Sequence, residues 1–505
     1  MVEDGKPRTG WGAVWAGPAV VAAGALVGLA VEFHVLGWTS IPGGECGGDS
    51  TPCPEGTTPT LLLAFLLTFV GLGVLARAFQ SFTERRPGKA VPVALTVLGV
   101  LLALWPGRQA YLWMRGPVLD ASWQAGPDRP ATVRAQGVWT VGRDASTVVR
   151  VRDDALVSYD SHGGDRRWTL RAPVRQSVCG MSERVVDGVG LVAFARYRKP
   201  CDTVWGVDTR TGRKLWERHI KGVARFTSAS DSLLAADRDV AVALTDTGVQ
   251  AYGLADGRPR WSADLHRKHR DGEECAPNVV SATGGTTTVV VTCETADGGS
   301  GRLVTLDDAS GKQRGSLALP VESPAETVMV LSADPFTLLL KESDKRGVAA
   351  VLSYPDPAGD PVRIPLTGDD EDLMPLPDTY DTFKARPALW ATVSGDTLVV
   401  AGAEPGASSA DRVSGYALRD GRHLWHADVG EVAALAPAGR GRVAVLGNGR
   451  LRTLDTANGH RVGEDDGTAV RTDRYATGGQ LLRAGDTWVV VNGDGTNGPP
   501  LLGLR

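Results

Sequence analysis

Six cysteines carry the most obvious reactive chemistry in this 505-residue chain: Cys46, Cys53, Cys179, Cys201, Cys275 and Cys293. Their spacing contains no C-x-x-C pair and no adjacent Cys-Cys, so neither a thioredoxin-like redox centre nor a zinc ribbon is encoded. An acidic run, Asp369, Asp370, Glu371 and Asp372, could attract a cation, but its spacing is not that of an EF-hand loop and it reads as a solvated loop. A basic run, His266, Arg267, Lys268, His269 and Arg270, stands just before Cys275 and reads the same way. The stretch from Asn492 to Gly498, NGDGTNG, resembles a metal loop, yet a turn between strands explains it without a metal. H-E-x-x-H, P-loop and G-x-S-x-G signatures are absent. The residue types therefore point to no catalytic and no metal site.

Those residues must be held by two very different kinds of element. No charge lies between Arg8 and Glu32, between Gly56 and Ala76, or between Ala90 and Gly107. Each run approaches the roughly 20 helical residues that cross a bilayer, and the backbone in lipid must satisfy its own hydrogen bonds. The expected order is a cytoplasmic tail (1–10), a first transmembrane helix (11–34), an outer loop (35–58) and a second helix (59–80). An inner loop (81–89), a third helix (90–107) and a linker (108–116) follow. Lys6, Arg8, Arg77, Arg85, Arg86 and Lys89 flank the sides assigned to the cytoplasm, whereas the loop from Gly37 to Thr60 has no Lys or Arg. This puts the first loop and everything beyond the third helix outside the cytoplasm. All six cysteines then fall on the oxidising side. Gly24 and Gly28 form a G-x-x-x-G pair, a spacing that also arises by coincidence in so glycine-rich a chain.

From residue 117 the pattern changes to short apolar runs such as STVVRV, TTTVVVT and RVAVLG, punctuated by Gly, Asp and Asn. These read as strands. An eleven-residue frame recurs at intervals of roughly 40–60 residues, the size of a propeller blade. Its fullest copy is GVDTRTGRKLW, from Gly206 to Trp216. The seventh position is Gly164, Gly212, Gly257, Gly311, Gly359, Gly421 and Gly459; the eleventh is Trp168, Trp216, Trp261 and Trp425 in four copies. A tight turn needs a positive φ at the glycine. An Asp at the third position, as at Asp160, Asp208, Asp307 and Asp455, can cap the turn amides. A tryptophan beyond the turn can cover the seam between neighbouring sheets.

This frame resembles the tryptophan-docking motif of the pyrroloquinoline-quinone (PQQ)-like β-propellers, A-x-D-x-x-T-G-K-x-x-W. Gly206, Asp208, Thr211, Gly212, Arg213 and Trp216 match it, with Gly for Ala and Arg for Lys. The arrangement of spans and propeller also resembles membrane proteins of high-GC actinobacteria. The expected fold is an all-β eight-bladed β-propeller over residues 117–505, with seven blades and the surplus elsewhere as the alternative, preceded by a three-helix transmembrane module. A strand around Trp123 completes the eighth blade. Within the blade frame, Cys179 is predicted to pair with Cys201 and Cys275 with Cys293, each at one end of one blade, and Cys46 with Cys53. Trp123, Trp168, Trp216, Trp261 and Trp425, with Gly164, Gly212, Gly257, Gly311, Gly421 and Gly459, are predicted to dock blade on blade.

The resemblance implies two readings of function. One is a non-catalytic scaffold or sensor, with no cofactor, whose partners are the lipid bilayer and an envelope protein. The other is a PQQ-dependent oxidoreductase using PQQ with Ca²⁺. Against the second, no vicinal disulfide exists and no residues align to the family's calcium site. A net charge of −4 gives no basic field for nucleic acid, and 42% hydrophobic residues exclude a mostly disordered chain. Insertions near residues 196–202, 265–277, 367–387 and 403–411 are expected on one face of the ring, where binding would reside.

Overall fold

The computed structural model describes residues 16–41, 53, 56–83, 90–116, 118–142, 145–221, 232–268, 274–295, 298–344, 346–356, 359–377, 385, 389–463, 467–470, 478–493 and 499–505. It divides into two compact units, Met1–Leu119 with Thr468–Asp473, and Asp120–Gly467 with Arg474–Arg505.

The first unit contains three helices: α1 (Ala16–Thr39), α2 (Thr57–Thr83) and α3 (Ala90–Arg115). All three are long and apolar enough to cross a membrane. Phe69, Leu101 and Trp105 stand exposed on them, as lipid-facing side chains do. The helices overrun the uncharged stretches. In particular, α3 continues past Gly107 to Arg115, so most of the expected linker (108–116) is helical. Tyr111 explains the continuation: it is buried with Phe33 and Ala64, and Leu112 and Met114 pack against them. The Gly24–Gly28 pair is a packing seam rather than a coincidence. A Cβ at Gly24 would lie 2.4 Å from the Thr96 carbonyl oxygen, and one at Gly28 would lie 2.9 Å from the Val100 Cα. Gly99 on α3 answers them, with its Cβ position 2.1 Å from the Val21 carbonyl oxygen. Val118–Leu119 pairs in parallel with Ala469–Val470 in this same unit.

The second unit is an eight-bladed β-propeller. Each blade is an antiparallel meander running from the axis to the rim. The second blade shows the plan: inner strand Gln176–Met181, then Val189–Arg196, Thr203–Asp208 and outer strand Arg213–His219. The middle strands are buried along their length, because both faces of a blade are covered by neighbours. The outer strands carry part-buried and exposed positions, having one covered face.

Closure uses the two ends of the propeller sequence. Gln480–Ala484, Thr487–Val491 and Leu501–Leu504 supply three strands of the eighth blade, and Ala121–Gln124 supplies the outermost. Trp123 pairs with Gly503 and Gln124 with Leu502. The segment after this strand carries Asp128, whose carboxylate accepts two hydrogen bonds from Arg150 at 2.7 and 2.9 Å. Both side chains of this ion pair are essentially inaccessible, at 0% and 2% exposure.

Candidate functional site

The blade-docking residues form a repeated contact. The ring of each frame tryptophan lies against the turn glycine of the next blade: Trp123 on Gly164, Trp168 on Gly212, Trp216 on Gly257, Trp261 on Gly311, and Trp425 on Gly459. All five glycines have φ between 64° and 72°. Four of the indoles also donate Nε1–H to a backbone carbonyl of that next turn, at Ser161, Leu254, Asp308 and Thr456, over 2.6–3.0 Å. The indole therefore fills volume and satisfies a carbonyl in one contact. Within their own blades Trp168, Trp216, Trp261 and Trp425 pair with the first residue of their frames, for example Trp216 with Gly206 and Trp425 with Gly415, whereas Trp123 pairs with Gly503.

Two frame glycines behave differently. Gly421 has the left-handed backbone (φ 72°), but the fifth blade's outer strand closes on it directly, with Arg363 O and Val362 Cγ1 near its Cβ position. Gly359 is not left-handed, and its N–H bonds the carbonyl three residues back, at Asp356, rather than four as at Gly212. Pro355 and Pro361 flank that turn and favour a different geometry.

The turn aspartates cap amides. Asp208 accepts from Arg210 N at 2.9 Å, and Asp160 from His162 N and Gly163 N at 2.8 and 3.1 Å. Asp307 accepts from the Ser310 backbone and hydroxyl and from Arg314. The Ser310 hydroxyl and the Arg314 guanidinium hold its pKa down at about 2.

At the opposite end of the ring lie the loops that join second to third strands and one blade to the next. Cys179 is bonded to Cys201 and Cys275 to Cys293, both at this end. Cys275 and Cys293 face one another directly across the first two strands of the fourth blade. Cys46 lies outside the described residues. Of the basic run, Arg267 and Lys268 form a short strand pairing Cys275 and Glu274, while His269 and Arg270 lie outside the described residues. Asn492 is buried and donates from Nδ2 to Pro499 O at 2.8 Å, whereas 494–498 lie outside the described residues.

The acidic run is not wholly a solvated loop. Asp369 and Asp370 are exposed, but Glu371 is half-buried and accepts from Ser414 Oγ at 2.6 Å and Tyr416 Oη at 3.0 Å. Asp372–Leu373 adds to the sixth blade by pairing Gly402 and Ala403, and the Asp372 carboxylate accepts from Gly406 N. The insertion is thus built into the sheet, because a glycine at 402 leaves space for the Glu371 carboxylate. Sequence reading also missed Trp139, on an inner strand, and Trp390, just before one; their indoles donate to Ser182 O and Ala433 O of the following blade. They follow no frame, so no periodic signal marks them.

The mouth of the central channel, at the turn end, is a cavity of about 670 Å³. Trp139, Glu183, Arg184, Ser332, Asp334 and Thr392 line it. Arg184 is anchored by donating to Ala282 O at 2.7 Å. A quinone with Ca²⁺ requires a cluster of carboxylate and amide ligands. Among the described residues no group of three or more His, Cys, Asp or Glu is placed to hold a metal ion. The two disulfides of the propeller lie at the other end of the ring and join residues 22 and 18 apart in sequence rather than adjacent ones. Among the described residues no set fits the PQQ–Ca²⁺ pair.

Residues 120–351 match the family model described as outer membrane protein assembly factor BamB. No curated protein matches the sequence. Solved structures with a similar fold include the Dos1 propeller, at 11% identity over 76% of this chain and 94% of that one, with a TM-score of 0.45. A europium-containing methanol dehydrogenase aligns at 11% identity over 73% and 87%, with a TM-score of 0.39. Kluyveromyces lactis Hsv2 aligns at 10% over 64% and 93%, with a TM-score of 0.37.

Proposed function

We propose that this chain is a membrane-anchored propeller that stands on the extracytoplasmic side of a cell membrane and acts as a non-catalytic protein-interaction scaffold or sensor. One observation carries the reading. The loop end of the ring is a fixed platform, held by two disulfides and by an insertion pinned through Glu371. Disulfides persist where the environment is oxidising, which favours the outer side. Rigidly presented loops suit recognition of a partner. The BamB description of the matching family belongs to an assembly factor, and assembly by protein contact is the role adopted here.

The test is photo-crosslinking in intact cells from a probe placed at Asp369 or Asp370, both exposed on the loop end. A probe at exposed Gly163, on the turn end, serves as the comparison. The scaffold reading expects a discrete protein adduct from the first pair and none from the second. Equal labelling from both ends, or none, counts against it. A raised melting temperature with PQQ and Ca²⁺, accompanied by dye reduction, would favour the oxidoreductase reading instead.

A further inference from the structure

The fourth blade lacks its docking indole. Its frame runs from Thr305 to Gly315, so glycine occupies the position held by tryptophan in the first, second, third and sixth blades. Strand register establishes the equivalence. Thr305 pairs with Gly315 as Ser158 pairs with Trp168, Ala251 with Trp261 and Gly415 with Trp425, and in each case the pairing shifts register at that point. A Cβ built on Gly315 meets only Thr305 Oγ1, at 3.1 Å.

The missing ring leaves space. A cavity of about 720 Å³ lies at the seam between the fourth and fifth blades, and Gly315 and Thr305 form part of its wall. Leu303, Leu317, Phe336 and Tyr354 give it an apolar and aromatic lining. The Phe336 and Tyr354 ring centroids are 6.0 Å apart. Tyr354 is only 2% exposed, and its hydroxyl has no hydrogen-bond partner. A buried hydroxyl left unpaired costs free energy that a ligand donor or acceptor would recover. Two further blades lack the frame tryptophan: the fifth carries Arg363 there, and its outer strand closes on Gly421 directly, while the seventh carries Gly463. The apolar core continues below the cavity through Val290, Leu338 and Leu352, so the seam is packed and only the docking volume is open.

We propose that this cavity is a binding site for a small planar aromatic molecule of indole type, carrying a ring N–H. The volume lies within the usual range for small-molecule sites, about 300–1,000 Å³. A far smaller apolar cavity, of roughly 150 Å³, already binds benzene. The ring would occupy the place of the absent tryptophan, and its N–H would donate to the Tyr354 hydroxyl oxygen. This goes beyond the scaffold reading and does not depend on it.

The test uses the full chain in lipid nanodiscs with 5-fluoroindole as the probe, read by ¹⁹F NMR. Saturable binding is expected in the wild type. The double substitution T305A/G315W, copying the Ala251–Trp261 pair, should abolish it while leaving the melting temperature unchanged or raised. Tyr354→Phe should weaken it by about two- to tenfold, the value of one hydrogen bond. Indene, which lacks the N–H, should compete more weakly than indole in the wild type and equally in Tyr354→Phe. Absence of saturable binding in the wild type, or undiminished binding in T305A/G315W, overturns the proposal. If T305A/G315W fails to fold, Tyr354→Phe decides: an unchanged affinity and equal competition by indene overturn it. Competition by N-acetyl-tryptophanamide as strong as that by indole would assign the site to a partner's side chain and overturn the small-molecule assignment.

Discussion

A single glycine in this ring meets two separate demands, and they can be measured apart. Gly257 has φ 64°, and the Trp216 ring lies 2.7 Å from where its Cβ would be. Gly395 has φ 59° with open space around the same position. Gly395→Ala should therefore cost only the left-handed backbone penalty, about 1–2 kcal/mol. Gly257→Ala should cost more, because the indole must move as well; equal losses in denaturant melts would refute the docking account. The carboxylates at this scale set an acid limit. Burial tends to raise the pKa of Glu342, but backbone N–H donors from Ser323, Val348 and Glu322 outweigh it and hold the group below its ordinary value. Asp307 is held at about 2 by Ser310 and Arg314. Because both folded pKa values are lowered, their stabilisation is fully present above the ordinary carboxylate range and is lost as pH falls through the folded values. The melting temperature should be level above about pH 5 and drop between about 4 and 2. Asp307→Asn should flatten part of that drop, and a curve identical to wild type would contradict the assignment.

At the scale of elements, legibility followed periodicity. The turn glycines and frame tryptophans are readable because a positive φ and an indole-sized gap recur at a fixed offset, as at Gly212 and Trp168. The disulfide partners followed from the same frame, since Cys275 and Cys293 are opposite in register. What the pattern did not contain was set by single tertiary contacts. Glu371 belongs to the sixth blade only because Ser414 and Tyr416 reach it, and Trp139 docks through Ser182 without any repeat. The vacancy at Gly315 was visible as a weak copy of the frame, but its significance needed the aromatic walls that come from another blade. In the helical unit, the Gly24–Gly28 spacing takes its meaning from the helix packed against it. Its consequence is specific. Gly28→Val puts methyl groups where Val100 Cα already lies within 2.9 Å of a Cβ position, so α1 and α3 must separate. Gly73→Val on α2 meets nothing within 4 Å and should be neutral. Disulfide trapping between cysteines introduced on α1 and α3 should fail in the first variant and persist in the second.

At the scale of the whole ring, the closing seam differs from the other seven in kind. Seven seams join blades that are consecutive in sequence, so the chain itself keeps them near one another. The eighth blade takes its outer strand from Ala121–Gln124, nearly 380 residues from its pairing partners. Trp123 links both sides of this junction: its ring covers Gly503 in its own blade and Gly164 in the first, and its Nε1–H donates to Ser161 O at 2.9 Å. Asp128 and Arg150 reinforce the same junction with a buried ion pair. Trp123→Ala and Trp216→Ala remove the same side chain from equivalent contacts, and each should cost about 3–5 kcal/mol globally. The two should differ in how the ring then opens. Loss of Trp123 releases a strand that no short loop joins to the other strands of its blade, so a sub-global opening becomes accessible below the global unfolding free energy. Amide exchange in Trp123→Ala should therefore accelerate first in Leu501–Leu504 and Ala121–Gln124, with the middle blades still protected. Trp216→Ala should leave those two strands as protected as its destabilised core allows. Uniform acceleration across all blades in both variants would show that the ring unfolds as one unit and that the closing seam has no separate status.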